Sequence, residues 1–175
     1  MLTFKRRGEE LTMNNIDFNV LTQTMSAMKV DRNLAIKKWA AKIHWVDGVR
    51  NQVGIREFTP FEMDQPKPMG GMNKAPNPVE YLIAAGGGCF AITFQVLASQ
   101  QGIKLENVDV TIEADLNAAV FLGIEEGDGG IINPVITLTV ETSASKIQVM
   151  EIANIALQKS PVLASLKTKV NLLIK

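Results

Sequence analysis

The chain has a single cysteine, Cys89, and a single histidine, His44, in 175 residues. One cysteine excludes an intrachain disulfide and any metal site built from several thiolates. It fits a reducing compartment. One histidine argues against a His-rich metal centre and against a Ser–His relay, so neither metal nor cofactor is expected. Net charge is missing too, because 18 Lys and Arg balance 18 Asp and Glu. The basic footprint that binds nucleic acid or an anionic membrane is therefore absent. Lys5, Arg6 and Arg7 are followed by no apolar segment, so no signal peptide is read. A cytoplasmic protein is expected.

What is present belongs to a globular protein: 46% hydrophobic and 21% charged residues, at a length that fits one domain. One run, Tyr81 to Ile103, carries no charge and is long enough to span a bilayer. Its three glycines, Thr93, Gln95 and the Ser99-Gln100-Gln101 cluster, with no Lys/Arg bias at either flank, argue for a buried central helix instead. Residues 1–34 form an N-terminal extension, with an irregular segment over 1–12. Phe18, Leu21, Met25 and Met28 recur at helical spacing and predict a peripheral helix near 17–29.

Residues 35–175 read as one domain. Trp39, Ala41, Ile43 and Trp45 alternate with Lys38, Lys42 and His44, and Asp47-Gly48 predicts a two-residue hairpin turn. In that register Trp45 faces Arg50 and Trp39 faces Arg56. Both guanidinium groups then project from the tryptophan face, an assignment that a bulge would flip. Residues 59–78 are a Pro/Gly-rich loop with room for a short edge strand. Strands follow the central helix at 106–117 and 134–142. Ser145 and Gln148 make a capping box that opens a helix lined by Val149, Ile152 and Ala156. Ser160-Pro161 starts another short helix, and 169–174 is a last strand. Strands, helix, strands, helices and strand together predict an α+β domain.

The stretch "NPVEYLIAAGGGCF" is the most informative. Asn77 is a good N-cap, Pro78 suits the first helical position, and Glu80 sits three past the cap. Glu80 is therefore read first as a capping residue, on the side of the helix opposite Cys89. Each interior glycine costs a helix about 1 kcal/mol relative to alanine. Gly86, Gly87 and Gly88 thus predict close packing, with a second central helix across a dimer axis as one partner. Substrate access beside the thiol is the other reading. Cys89 shares a stripe with Leu82, Ala85, Thr93 and Val96. A lone cysteine usually just packs, and this one lies too deep in the helix for the macrodipole to activate it. Reactivity requires a neighbouring cation, for which Arg50 is the first candidate.

The same stretch, preceded by "QPKPMGG" and followed by "ADLNAAVFLGI", "ETSAS" and "KSPV", resembles the osmotically inducible protein C / organic hydroperoxide resistance (OsmC/Ohr) family over about 35–175. The resemblance implies antiparallel sheets around a buried central helix, in an intertwined homodimer with sites at the subunit interface. It also implies thiol peroxidase chemistry, in which a cysteine held as thiolate by an arginine and a glutamate reduces a hydroperoxide. Cys89 matches the attacking cysteine and Arg50 the activating arginine. Two positions depart from the pattern. Ser160 stands where the family has its second cysteine, and Val79 where it has its glutamate, with Glu80 one residue late. A glutamate at this later position is familiar from the more divergent OsmC-like branch.

A two-cysteine cycle within this chain is therefore excluded, because a hydroxyl cannot form a disulfide. The expected activity is a one-cysteine, thiol-dependent hydroperoxide reductase in oxidative-stress defence. Cys89 and Arg50 would be catalytic, with Glu80, Arg56 and Ser160 as supporting candidates. Expected partners are a second copy of the chain, a small organic hydroperoxide and an external thiol reductant. The alternative is a non-catalytic protein that kept an interface pocket for a small apolar ligand. A third reading is other thiol chemistry, including a Cys89–Cys89 bridge across the dimer axis.

Overall fold

The structure, a computed structural model, describes residues 12–175. Lys5, Arg6, Arg7 and nearly all of the expected irregular segment lie outside the described residues. The described chain opens on a small hairpin that the sequence reading missed. Strands β1 (Thr12–Met13) and β2 (Ile16–Asp17) flank Asn14 and Asn15, whose φ angles are 51° and 59°. Two left-handed residues in a row give the turn that follows the natural strand twist, and asparagine tolerates that conformation. Asn14 then clasps the body of the domain. Its Nδ2 donates to Ser99 Oγ (2.7 Å) and to the Ile103 carbonyl (2.9 Å), while its Oδ1 accepts from the Leu105 N–H (3.0 Å).

Helix α1 (Phe18–Val30) follows where helical spacing placed it, with Asp17 capping the N–H groups of Asn19 and Val20. Phe18 is buried and Met25 half exposed, so the helix is peripheral.

The first sheet is antiparallel, ordered β3 (Lys42–Asp47), β4 (Arg50–Gly54), β5 (Phe61–Met63). Its hairpin corrects the expected register. The turn is Gly48-Val49, with Gly48 at φ 49°, and Asp47 pairs with Arg50. After an irregularity, Trp45 pairs with Asn51 and Ile43 with Val53. A one-residue slip moves every side chain to the other face. Arg50 therefore shares its face with Gln52 and His44, not with Trp45. The Asp47 carboxylate, 3.1 Å from Arg50 Nε, closes the turn one residue later than the Asp-Gly signal implied. Trp39 and Arg56 lie outside the strands altogether. Arg56 has φ 49°, and its guanidinium sits 4.6 Å from the centre of the Phe58 ring.

Helix α2 (Pro78–Gln100) carries the capping box expected of Asn77 and Glu80. The second sheet is ordered β6 (Leu105–Leu116), β7 (Ile131–Thr142), β8 (Asn171–Ile174). β6 and β7 are antiparallel, whereas β8 runs parallel to β7. Between β6 and β7 lies one turn of helix, α3 (Ala118–Phe121). Between β7 and β8 lie α4 (Lys146–Lys159), opened by the Ser145/Gln148 capping box, and α5 (Pro161–Ala164). The core joins Phe90, Phe94 and Ala98 of α2 to Ile136 and Leu138 of β7 and to Ile152, Ala153 and Ala156 of α4. Each large apolar side chain buried there stabilises the fold by about 1.5–3 kcal/mol.

Among the described residues, α2 is the one helix long and apolar enough to cross a membrane. Its inward face is packed into this core, as a central helix requires. Its other face is open in the single chain: Ala85 and Gly88 are exposed, and Ile92 is 64% exposed.

Candidate functional site

The three glycines of α2 divide between these two faces. A β-carbon on Gly86 would lie 3.0 Å from Leu163 Cδ2, and one on Gly87 would lie 2.9 Å from Ile112 Cγ2. Gly86 and Gly87 therefore let α2 approach β6 and α5 of its own chain. The expected close packing is thus met at Gly86 and Gly87 by elements of the same chain. A β-carbon on Gly88 meets nothing within 4 Å. Gly88 lies on the open face.

Cys89 follows directly, half-buried, beside exposed Ala85 and Ile92. Its thiol is thus at the edge of the core and not inside it. Its carbonyl accepts a hydrogen bond from Thr93 Oγ1 at 2.8 Å, a helix-internal contact. Among the described residues no charged side chain of the same chain pairs with the thiol.

Arg50 lies at the start of β4. Its Nε pairs with Asp47 Oδ1 at 3.1 Å and its Nη1 with Glu62 Oε2 at 3.7 Å. Glu62 is opposite Gln52 in the β4–β5 register, which sets its carboxylate diagonally beside Arg50. Strand β5 is in turn tied to α2, because Tyr81 OH donates to the Glu62 carbonyl (2.8 Å) and the Phe61 and Tyr81 rings lie 4.9 Å apart. Sequence reasoning missed Glu62 and Asp47 as partners of Arg50, since both depend on the corrected register.

Behind this pair is Asp64, 1% exposed, which organises the loop leading into α2. It accepts from the N–H groups of Gln65 (2.8 Å), Lys74 (3.0 Å) and Met72 (3.2 Å). The Lys74 bond above all holds the Asp64 carboxyl below its ordinary value; the Gln65 and Met72 bonds and the charge of Arg50 add to this, while burial opposes it. Gly71 completes the loop, because a β-carbon there would run into the backbone of Gln65. The Gly70-Gly71 pair in a Pro-rich loop was the available signal, and Asp64 had none.

Each of the supporting candidates has a partner of its own other than the Cys89 thiol. Glu80 Oε2 accepts the Asn77 N–H at 2.7 Å, and the Glu80 N–H donates back to Asn77 Oδ1 at 2.9 Å. Nine residues of helix separate it from Cys89, about 13 Å along the axis. Arg56 is engaged with Phe58. Ser160 is fully buried at the start of α5, but its hydroxyl does not cap that helix. It donates backward to the Ala156 carbonyl at 2.7 Å. Within the single chain, Cys89 lies on the open face of α2, and Arg50 is held by the carboxylates of Asp47 and Glu62.

These features define an α+β protein with two three-stranded sheets, a long central helix and a lone thiol midway along it. The OsmC-like protein family matches residues 71–175, and the chain belongs to it. Among solved structures, the chain is similar to an OsmC-like protein from Mycoplasma pneumoniae, at 14% identity and TM-score 0.68, covering 79% of this chain and 96% of that one. An OsmC-like protein of unknown function from Vibrio cholerae matches at 14% identity and TM-score 0.67, covering 80% and 100%. An organic hydroperoxide resistance protein OsmC from Legionella pneumophila matches at 20% identity and TM-score 0.59, covering 79% and 96%. At these identities the likeness shows the fold. No curated protein matches the chain in sequence.

Proposed function

We propose that the protein is a cytoplasmic, homodimeric, one-cysteine thiol peroxidase that reduces small organic hydroperoxides. The observation that supports this reading is the placement of Cys89: half-buried, on the open face of α2, beside apolar Ala85 and Ile92. Such a surface suits an organic peroxide better than a hydrated one. Arg50 supplies the cation that a thiolate needs, brought to Cys89 in the assembled dimer. In the reaction the Cys89 thiolate attacks the distal peroxide oxygen, the O–O bond breaks, and the alcohol leaves with a proton. Cys89 is then a sulfenic acid. An external thiol condenses with it, releasing water and forming a mixed disulfide. A second external thiol reduces that disulfide and restores Cys89.

Stopped-flow oxidation with cumene hydroperoxide tests the proposal. Cys89 is expected to react at least about a hundredfold faster than free cysteine, and Arg50→Ala to abolish the advantage. Oxidation at the free-thiol rate refutes it.

A second reading is favoured by the two carboxylates that already neutralise Arg50. In that reading the apolar surface around Cys89 holds a small apolar ligand, and the thiol only lines it. Ligand affinity unchanged by Cys89→Ser, together with slow oxidation, would select this reading.

A further inference from the structure

Where the chain passes from the end of β7 into α4, the edge of the core holds a cavity of about 270 Å³. Its floor is apolar. Val149 belongs to the core, and Val140, Ala144 and Ile174 pack against it. Its rim is formed by two exposed lysines, Lys146 at the first residue of α4 and Lys175 directly after β8. The Lys175 N–H donates to the Leu138 carbonyl at 3.0 Å, which fixes this end of the chain beside β7. The remaining polar side chain of the lining, Thr142, is already engaged. Its Oγ1 donates to the Lys104 carbonyl at 2.6 Å and accepts the Ala144 N–H at 3.3 Å.

The rim is positive and unopposed. Neither Lys146 nor Lys175 forms an ion pair among the described residues, and no carboxylate lines the cavity. Glu141 stands between Val140 and Thr142 in β7, so strand alternation turns it to the opposite face of the sheet. Glu106 pairs with Lys104 at 4.0 Å. The one acid of α4, Glu151, is five residues from Lys146, about 140° round the helix. The cavity therefore offers apolar surface inside and two free ammonium groups at its mouth.

Small-molecule sites are built in this way, mostly apolar with a few placed polar groups. We infer that the cavity binds a medium-chain monocarboxylate, its alkyl chain on Val140, Ala144, Val149 and Ile174 and its carboxylate between Lys146 and Lys175. At about 30 Å³ for each water-sized group, the volume holds about nine non-hydrogen atoms. That matches the carbon chain of octanoate, with the carboxylate oxygens at the rim. An inorganic anion would leave the floor uncovered, and an uncharged chain would leave both lysines unpaired. The lining comes from β7, α4, β8 and the residues flanking them, and includes neither Cys89 nor Arg50. The inference thus stands or falls apart from the thiol chemistry.

Isothermal titration calorimetry of the whole chain with octanoate is the test, with circular dichroism to check the fold of each variant. One octanoate per chain is expected to bind. Across butanoate, hexanoate and octanoate, each added methylene is expected to tighten binding about fourfold. Lys146→Gln/Lys175→Gln is expected to weaken octanoate at least about tenfold, and octanol to bind the wild type at least about tenfold more weakly than octanoate. Ala144→Phe fills the cavity and is expected to abolish binding; the lysine variant carries the same test on a surface that does not hold the fold. Cys89→Ser is expected to bind octanoate as the wild type does, and octanoate to leave the alkylation rate of Cys89 unchanged. The inference is overturned by the absence of octanoate binding, by affinity independent of chain length or of the two lysines, or by octanol or inorganic phosphate binding as tightly as octanoate. Octanoate that shields Cys89 from alkylation also overturns it, because the ligand then sits on α2.

Discussion

Gly87→Ala is the sharpest probe of why α2 carries glycines. The added methyl would sit 2.9 Å from Ile112 Cγ2, 3.6 Å from Ile112 Cβ and 3.8 Å from Val110 Cγ1. Ile112 is β-branched and stiff about χ1, so it cannot swing clear without moving β6. Overpacking of this kind costs about 1–3 kcal/mol. Replacing glycine by alanine inside a helix returns about 1 kcal/mol. The expected net effect is a destabilisation of up to about 2 kcal/mol. Gly88→Ala meets no atom of its own chain and is expected to show the helical gain alone, about 1 kcal/mol. In an Ile112→Ala background, Gly87→Ala is expected to change sign and become stabilising. The assay is urea unfolding with unchanged m-value, at low and matched protein concentrations because dimerisation adds to stability. If Gly87→Ala stabilises the parent chain as much as Gly88→Ala does, close packing against β6 is not what the glycine serves.

Gly71→Ala is expected to open the loop between β5 and α2, seen as rapid limited proteolysis between residues 64 and 76, because the Gln65 backbone cannot move aside. Asp64 is held below its ordinary value of 3.8, so the stability it contributes is fully present above that value and is lost as pH falls through its lower folded value. Acid unfolding followed by circular dichroism should therefore be less steep in Asp64→Asn than in the wild type over that range. Ser160→Ala removes one hydroxyl bond to Ala156 and is expected to cost about 1 kcal/mol in chemical unfolding. The same substitution should leave the alkylation rate of Cys89 unchanged. Glu62→Gln removes a carboxylate from Arg50, and the proposed function predicts a shifted pH profile for Cys89 alkylation with the fold intact.

Local signals were legible where one residue or one short motif carries the information. The capping boxes at Asn77/Glu80 and Ser145/Gln148, the helix from Phe18, the alternation of β6 and the long apolar helix α2 all follow from side-chain chemistry and period. The hairpin after β3 shows where this stops. Asp47-Gly48 is a sound turn signal, yet the turn forms one residue later, at Gly48-Val49, and the irregularity between Trp45 and Asp47 exchanges the two faces of the sheet. The Asn14-Asn15 turn had a readable signal. Its docking against Ser99, Ile103 and Leu105 joins positions about 90 residues apart, which no local pattern encodes.

The sequence by itself determined that this is an α+β protein with one thiol, no partner cysteine for it within the chain, and a central helix whose Glu80 is a cap. These follow from residue identity and spacing. Only the tertiary structure decided which glycines pack inward, that Ser160 bonds to its own helix, and that Glu62 and Asp47 hold Arg50. Each of these depends on which surfaces meet at ångström range, and contact at that range is set by the packing of whole elements.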